Sequence, residues 1–285
     1  MLRKTTIVML VAALFYGCQK PEDRLLDGIK NKDTQLILKA LEEGVDPNFK
    51  LYKIPLPAGS MHYDAKLGSV DGEDYQGTPI LYWAILEDNE AVFEKLIEKG
   101  ADINYKFTPS AIGTDFSNLT PLMLAVITSE RLKYAEKLIK SGANHTIASD
   151  IQGSKRLPFE LAVIEKDPST IDLFLNHGAD PNQKISEGLP IFYLAMDGPD
   201  FSTIDLLVKK GANLNLVNSD GMTPIFWAIQ TKNEPLVEYL LSKYVNIEGK
   251  YQGMDALEFA KRYGTERIEI MLTGRFMELS EEEGC

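Results

Sequence analysis

Thr223-Pro224-Ile225-Phe226-Trp227-Ala228-Ile229, followed by Leu236, Val237, Leu240 and Leu241, is one copy of a unit that this chain writes about six times. The proline recurs at 79, 121, 158, 190 and 224, and the first four of those copies close on a glycine at 100, 142, 178 and 211, always 20 or 21 residues later. Proline suits the first turn of a helix, because its fixed φ fits there and its missing N–H would be unpaired anyway. Thr78, Thr120 and Thr223 precede it as expected N-caps. Apolar pairs then fall four apart (Val92, Phe93 with Leu96, Ile97; Tyr134, Ala135 with Leu138, Ile139; Leu236, Val237 with Leu240, Leu241), which predicts a second helix with one buried stripe. The closing glycine is expected in the left-handed conformation just past that helix. After it come Asp46-Pro47-Asn48, Asp102-Ile103-Asn104, Asp180-Pro181-Asn182 and Asn213-Leu214-Asn215, short polar side chains that bond their own backbone in turns. Each unit therefore reads as helix, turn, helix and a turn-rich finger, and a period near 33 residues predicts an all-α solenoid.

These residues resemble the ankyrin repeat, whose pattern Gly-x-Thr-Pro-Leu, Ala, Leu-Leu, Gly-Ala-Asp-x-Asn is matched from Gly77 to Asn104, Asn118 to Asn144, Arg156 to Asn182, Gly188 to Asn215 and Gly221 to Asn246. The resemblance covers residues 23–272: about five full repeats, a degenerate opening unit from Leu25 to Asn48, and a closing one from Gly253 to Leu272. Atypical end units are expected, since a terminal repeat must present one solvated face. Tyr244 stands where the fifth closing glycine belongs. The copies from Pro79 and Pro190 carry one residue more than that from Pro158, so their first helices are expected to bulge or lengthen. Their extra rings, among Tyr82, Trp83, Phe192 and Tyr193 with Phe226 and Trp227 in the last copy, are mostly core residues or else reach a concave groove. No Ser/Gly-rich linker interrupts the array, so one domain is expected. Residues 273–285 read as an acidic tail, frayed and solvated from Glu278 to Glu283.

The opening residues are of another kind. Arg3 and Lys4 precede nine apolar residues, Ile7 to Phe15, and then Tyr16-Gly17-Cys18, the layout of an export signal over residues 1–17. A helix from Thr5 to Gly17 would rise only about 20 Å at ~1.5 Å per residue, short of the ~30 Å hydrocarbon core. The Gly-Cys ending resembles the lipobox of bacterial lipoproteins, which implies acylation of Cys18, a tether over residues 18–22 and palmitate-type anchoring; ordinary signal cleavage and an uncleaved anchor are the alternatives. Gln19 stands where that family's inner-membrane retention signal places Asp, so the resemblance points to the outer membrane, facing the periplasm. The other cysteine, Cys285, reads as an incidental thiol.

Basic residues number 30 against 42 acidic ones, and 28 against 42, a net −14, without Arg3 and Lys4. Such a surface repels nucleic acid and anionic lipid and steers a basic protein inward, or else only keeps an exported domain soluble. The spacing of the repeats is more specific. Seven residues separate Asn215 from Thr223, but 29 separate Asn48 from Thr78 and 15 separate Asn104 from Thr120. Insertions at adjacent repeats project from one face of a solenoid, often the binding face. The larger, residues 50–76, carries the candidate partner-binding residues Tyr52, His62, Tyr63, Asp64, Asp71, Glu73, Asp74 and Tyr75; the smaller, 105–117, carries Tyr105, Phe107, Asp115 and Phe116. Tyrosine beside carboxylates supplies rigid contact area at low entropic cost.

Chemistry is scarce by comparison. His62, His145 and His177 are far apart in sequence, and no His-Glu-x-x-His, Gly-x-Ser-x-Gly, paired cysteine or phosphate-binding glycine loop occurs. The sequence thus predicts a non-enzymatic binding module without metal, cofactor or small-molecule substrate. Acidic ankyrin lipoproteins of this layout are similar to immunity proteins that neutralise a toxin, such as a phospholipase, delivered into the periplasm; that resemblance implies a toxin as partner. An envelope adaptor protecting a resident protein is the alternative reading.

Overall fold

The structure, a computed structural model, describes residues 19–51, 77–108, 116–127, 131–185, 188–196 and 200–283. The chain divides into two compact units, Met1–Pro158 and Phe159–Cys285.

In the first unit, α1 (Pro21–Asn31) and α2 (Thr34–Glu42) form the opening helix pair, α3 (Ile80–Leu86) and α4 (Glu90–Glu98) the next, and α5 (Pro121–Ile127) and α6 (Leu132–Lys140) the third. The second helix of the first two pairs starts where a side chain replaces the missing helical acceptor: Asp33 accepts the Leu36 N–H at 3.0 Å and Asn89 the Val92 N–H at 3.2 Å, whereas Arg131 before α6 makes no such bond. Their buried stripe is the one read from the spacing, with Val92, Phe93, Leu96, Tyr134, Ala135 and Leu138 all fully buried. At roughly 1.5–3 kcal/mol for each large apolar side chain removed from water, these stripes dominate the stability of the unit. The fingers between the pairs are short strands: β1 (Lys50–Leu51) with β2 (Thr78–Pro79), and β3 (Phe116–Ser117) with β4 (Ser149–Ile151) and β5 (Ser154–Arg156), all antiparallel. Gln152 and Gly153, both with positive φ, turn β4 into β5, the backbone a two-residue hairpin of matching twist requires.

In the second unit, α7 (Pro158–Ile164) pairs with α8 (Pro168–Asn176), a 3₁₀ turn (Ile191–Ala195) with α9 (Ser202–Lys209), α10 (Pro224–Gln230) with α11 (Glu234–Ser242), and α12 (Ala256–Tyr263) with α13 (Glu266–Glu283). Asp255 and Glu258 close a reciprocal capping box on α12. The acidic stretch read as a frayed tail is the second half of α13, a helix of 18 residues, twice the length of α11.

Two local expectations change. Thr120 caps as expected, accepting the Met123 N–H at 3.1 Å. Thr78, however, lies in β2 opposite Leu51, and Thr223 precedes α10 without a side-chain cap bond. The extra residue in the copies from Pro79 and Pro190 neither bulges nor lengthens a helix. Pro79 and Pro190 stand outside, in extended backbone, bridged to Lys50 and Lys184, and α3 keeps the seven residues of α5, α7 and α10. A proline has no N–H to give a helix or a ladder, so moving it one place costs nothing.

The closing glycines are left-handed as expected, and so is Tyr244 at φ 55, in the place of the fifth. Within each unit neighbouring fingers are also tied together. The Asn48 side chain accepts the Asp102 N–H at 2.7 Å, and Asn104 accepts that of Asn144 at 2.8 Å. In the second unit Asn182 accepts the Asn213 N–H at 2.7 Å and Asn215 that of Asn246 at 2.8 Å.

Candidate functional site

The finger edge of the first unit is where both insertions leave the fold. The chain runs out after Leu51 and is back at Gly77, whose N–H donates to the Leu51 carbonyl at 2.7 Å, while the Ile80 N–H donates to Phe49 at 3.0 Å. The larger insertion therefore hangs from a clamped two-strand base. The smaller hangs from another: Phe107 and Leu119 exchange backbone bonds of 2.8 and 2.7 Å, and the Asn118 N–H donates to Thr108 Oγ1 at 3.1 Å. Asn118 takes a positive φ of 54, and its side-chain amide reaches Asp150 at 2.8 Å, where the Ser117 hydroxyl also donates at 3.0 Å. Those two donors, Asn118 first, hold the Asp150 carboxyl below its ordinary range.

The two bases touch. The Lys50 ammonium lies 4.8 Å from the centroid of the Tyr105 ring, a cation over an aromatic face. Beneath them, the Tyr82 hydroxyl sits between the carbonyls of Tyr105 and Leu119, at 2.7 and 2.5 Å, and its ring meets Phe107 edge-on at 5.4 Å. Tyr82 is 2% exposed, and burial pushes its hydroxyl well above the ordinary tyrosine value, so it stays a neutral donor. The second unit repeats the device: the Tyr193 hydroxyl sits 3.1 Å from the Leu216 carbonyl and 2.7 Å from that of Met222. Tyr82, Trp83, Phe192, Tyr193 and Phe226 are thus buried, which decides for core over groove; Trp227 alone of the six is half-buried.

Of the candidate partner-binding residues, Tyr52, His62, Tyr63, Asp64, Asp71, Glu73, Asp74, Tyr75 and Asp115 lie outside the described residues, as does Cys18. Tyr105 and Phe107 are half-buried in the base of the second insertion, and Phe116, paired with Ile151 in β3, is 6% exposed. The spans read as insertions, 50–76 and 105–117, therefore include their own supports: Lys50, Leu51, Tyr105 to Thr108, Phe116 and Ser117 belong to the fingers. Lys50 and Asp150 carry no motif that would single them out in the sequence; only the hairpin pairing places them here. Away from this edge, His177 Nδ1 lies 2.9 Å from the Leu173 carbonyl on an exposed turn, and His145 is half-buried at the Asn144 turn.

Residues 159–251 and 191–275 match the family model described as ankyrin repeats (3 copies). No curated protein matches the sequence. Among solved structures, an ankyrin repeat domain from Acinetobacter baumannii AYE superposes with a TM-score of 0.55 at 24% identity, over 69% of this chain and 97% of that one. The ankyrin repeat domain of Bcl-3, described as a member of the IkappaB protein family, gives 0.60 at 18% identity over 88% and 97%. The ankyrin repeat protein EF0377 gives 0.52 at 19% identity over 68% and 96%. The fold is the ankyrin-repeat solenoid expected from the sequence.

Proposed function

We propose that this chain is a non-catalytic protein-binding module, held on the bacterial envelope by an acylated Cys18, and that it serves as an immunity protein occupying a toxin delivered into the periplasm. One observation carries the binding reading: two insertions, the larger of them rich in tyrosine and carboxylate, spring from adjacent, mutually touching hairpin bases of one finger edge. Loops on a rigid scaffold are where recognition is built, because the scaffold holds their ends without dictating their sequence. A net charge of −14 without Arg3 and Lys4 favours a partner with a basic face and raises its rate of encounter. The anchor and the toxin partner rest on the resemblance of the Gly17-Cys18 ending to lipoproteins and of the whole layout to immunity proteins.

Two experiments test this reading. Replacing residues 52–75 by a short Gly-Ser link is expected to weaken partner capture by at least about tenfold while moving the Tm by no more than about 2 °C, since the strand clamp at Leu51 and Gly77 is kept. A large fall in Tm would mark the insertion as structural support instead. Cys18→Ser is expected to shift the chain from the membrane fraction to the soluble periplasmic fraction, and retention in the membrane would refute the lipid anchor. Capture of a hydrolase-like toxin supports immunity, whereas capture of a resident envelope protein moves the role to an adaptor.

A further inference from the structure

The outward face of α13 is unusual for a terminal helix, which ordinarily turns a polar side to water. Ile270 is 65% and Met277 64% exposed, and they bracket Gly274 on the same face. Gly274 lies in the interior of an 18-residue helix, where glycine is unfavourable, yet a Cβ there would meet nothing within 4 Å. Nothing in the chain's own packing asks for glycine at that place; close approach of another backbone does. Beside it runs a groove of about 370 Å³ between α11 and α13, lined by Leu241, Tyr244, Ile270 and Met271 and also by Glu238 and by Glu278, which Arg275 pairs at 2.8 Å while stacking 4.6 Å over the Tyr244 ring.

The charges of this face name the occupant. Arg267 lies seven residues before Gly274 and Glu281 seven after, both exposed. Arg267 reaches Glu234 and Glu238 only at 3.7 and 3.6 Å, and its side chain is 66% exposed. An antiparallel copy of the same helix, related by a two-fold axis through Gly274, sets each Arg267 opposite the other Glu281, about 10 Å from the axis at ~1.5 Å per residue. The same operation brings each Ile270 level with the other Met277, within about 1.5 Å along the helix. We infer that α13 is a self-complementary docking face at which two copies of this chain associate, antiparallel about Gly274. A two-fold interface uses one patch twice, and a face basic at Arg267, acidic at Glu281 and carrying Ile270 and Met277 on either side of a central glycine, with Glu278 neutralised by its own Arg275, meets that requirement. Two chains of net charge −12 repel at long range, but salt confines that repulsion to about 8 Å at physiological ionic strength. A pair of single helices is a small interface, so association at roughly micromolar strength or weaker is expected.

Sedimentation of the full chain in mild detergent over a wide concentration range tests this, with Cys285→Ser included to exclude a disulfide. The parent chain is expected to pass from monomer to dimer. Arg267→Glu and Glu281→Arg should each weaken the dimer about tenfold, since two symmetry-related pairs turn repulsive, and the double variant should restore it. Gly274→Leu should leave the helical spectrum and Tm intact and abolish association. A parent chain that stays monomeric throughout, a double variant no tighter than the single ones, or a Gly274→Leu chain that still dimerises would each overturn the inference.

Discussion

Tyr82 shows how much one hydroxyl can organise. Its ring belongs to α3, but its oxygen reaches two carbonyls of the next finger, one on each side of the smaller insertion. Tyr193 does the same in the second unit, and in both cases the nearer carbonyl in sequence lies 23 residues on. Tyr82→Phe removes the donor, while the Leu119 carbonyl keeps the Phe107 N–H and the Tyr105 carbonyl is only part-buried, so a loss of about 0.5–1.5 kcal/mol is expected, read as a lower urea midpoint with an unchanged slope. An unchanged midpoint would show that water replaces the hydroxyl. In the sequence these tyrosines are only aromatics in an apolar helix. Their period is legible, but the bond is not, because nothing local marks which buried ring has a carbonyl 23 residues away within reach.

Among the elements, the second helices were the most legible, since apolar pairs four apart are a sufficient physical cause of an amphipathic helix; the Asp or Asn caps that start several of them are seen only in the structure. The first helices were less so. Their proline was read as the opening residue in every copy, which holds at 121, 158 and 224. At 79 and 190 the proline instead continues the finger in extended backbone, a choice made by the pairing of Lys50 and Lys184 across the hairpin, which is tertiary information. Tyr244 is a similar case. Where the closing glycine is missing, the turn is kept at a left-handed tyrosine whose ring lies beneath Arg275. Such a residue costs roughly 1–2 kcal/mol of strain against glycine. The edge bearing the insertions was legible as spacing; the contact of Lys50 with Tyr105 that joins their bases was not.

Across the whole molecule, mostly half-buried lysines bind largely exposed carboxylates, chiefly those of the neighbouring helix pair within the same unit. Lys95 binds Glu42 at 2.5 Å and Glu98 at 2.8 Å, Lys133 binds Asp88 at 2.8 Å, and Lys137 binds Glu90 and Glu94; in the second unit Lys210 holds Asp172 at 2.8 Å and Lys243 holds Asp205 at 2.6 Å. Hydrogen bonds from these lysines hold the carboxyls of Glu42, Asp88, Glu90, Asp172 and Asp205 below their ordinary range. A carboxyl with a lower folded than unfolded pKa stabilises the fold above the unfolded value and loses that contribution as pH falls through the folded one. The Tm is therefore expected to be flat from about pH 7 to 5 and to fall progressively below about pH 4.5. High salt should flatten this acid limb, because exposed pairs are screened. A Tm that rises on acidification would show that relief of the −12 net charge outweighs the pairs.

The asparagine rungs between fingers have a consequence for how such a chain can change over generations. Each side chain grips a main-chain amide of its neighbour, a group that every residue but proline supplies. Substitution at the gripped position thus leaves the grip in place, and the outward-looking surface is free to drift while the spine beneath it keeps its spacing. A lineage under pressure to follow an altering adversary would need that separation of scaffold from signature.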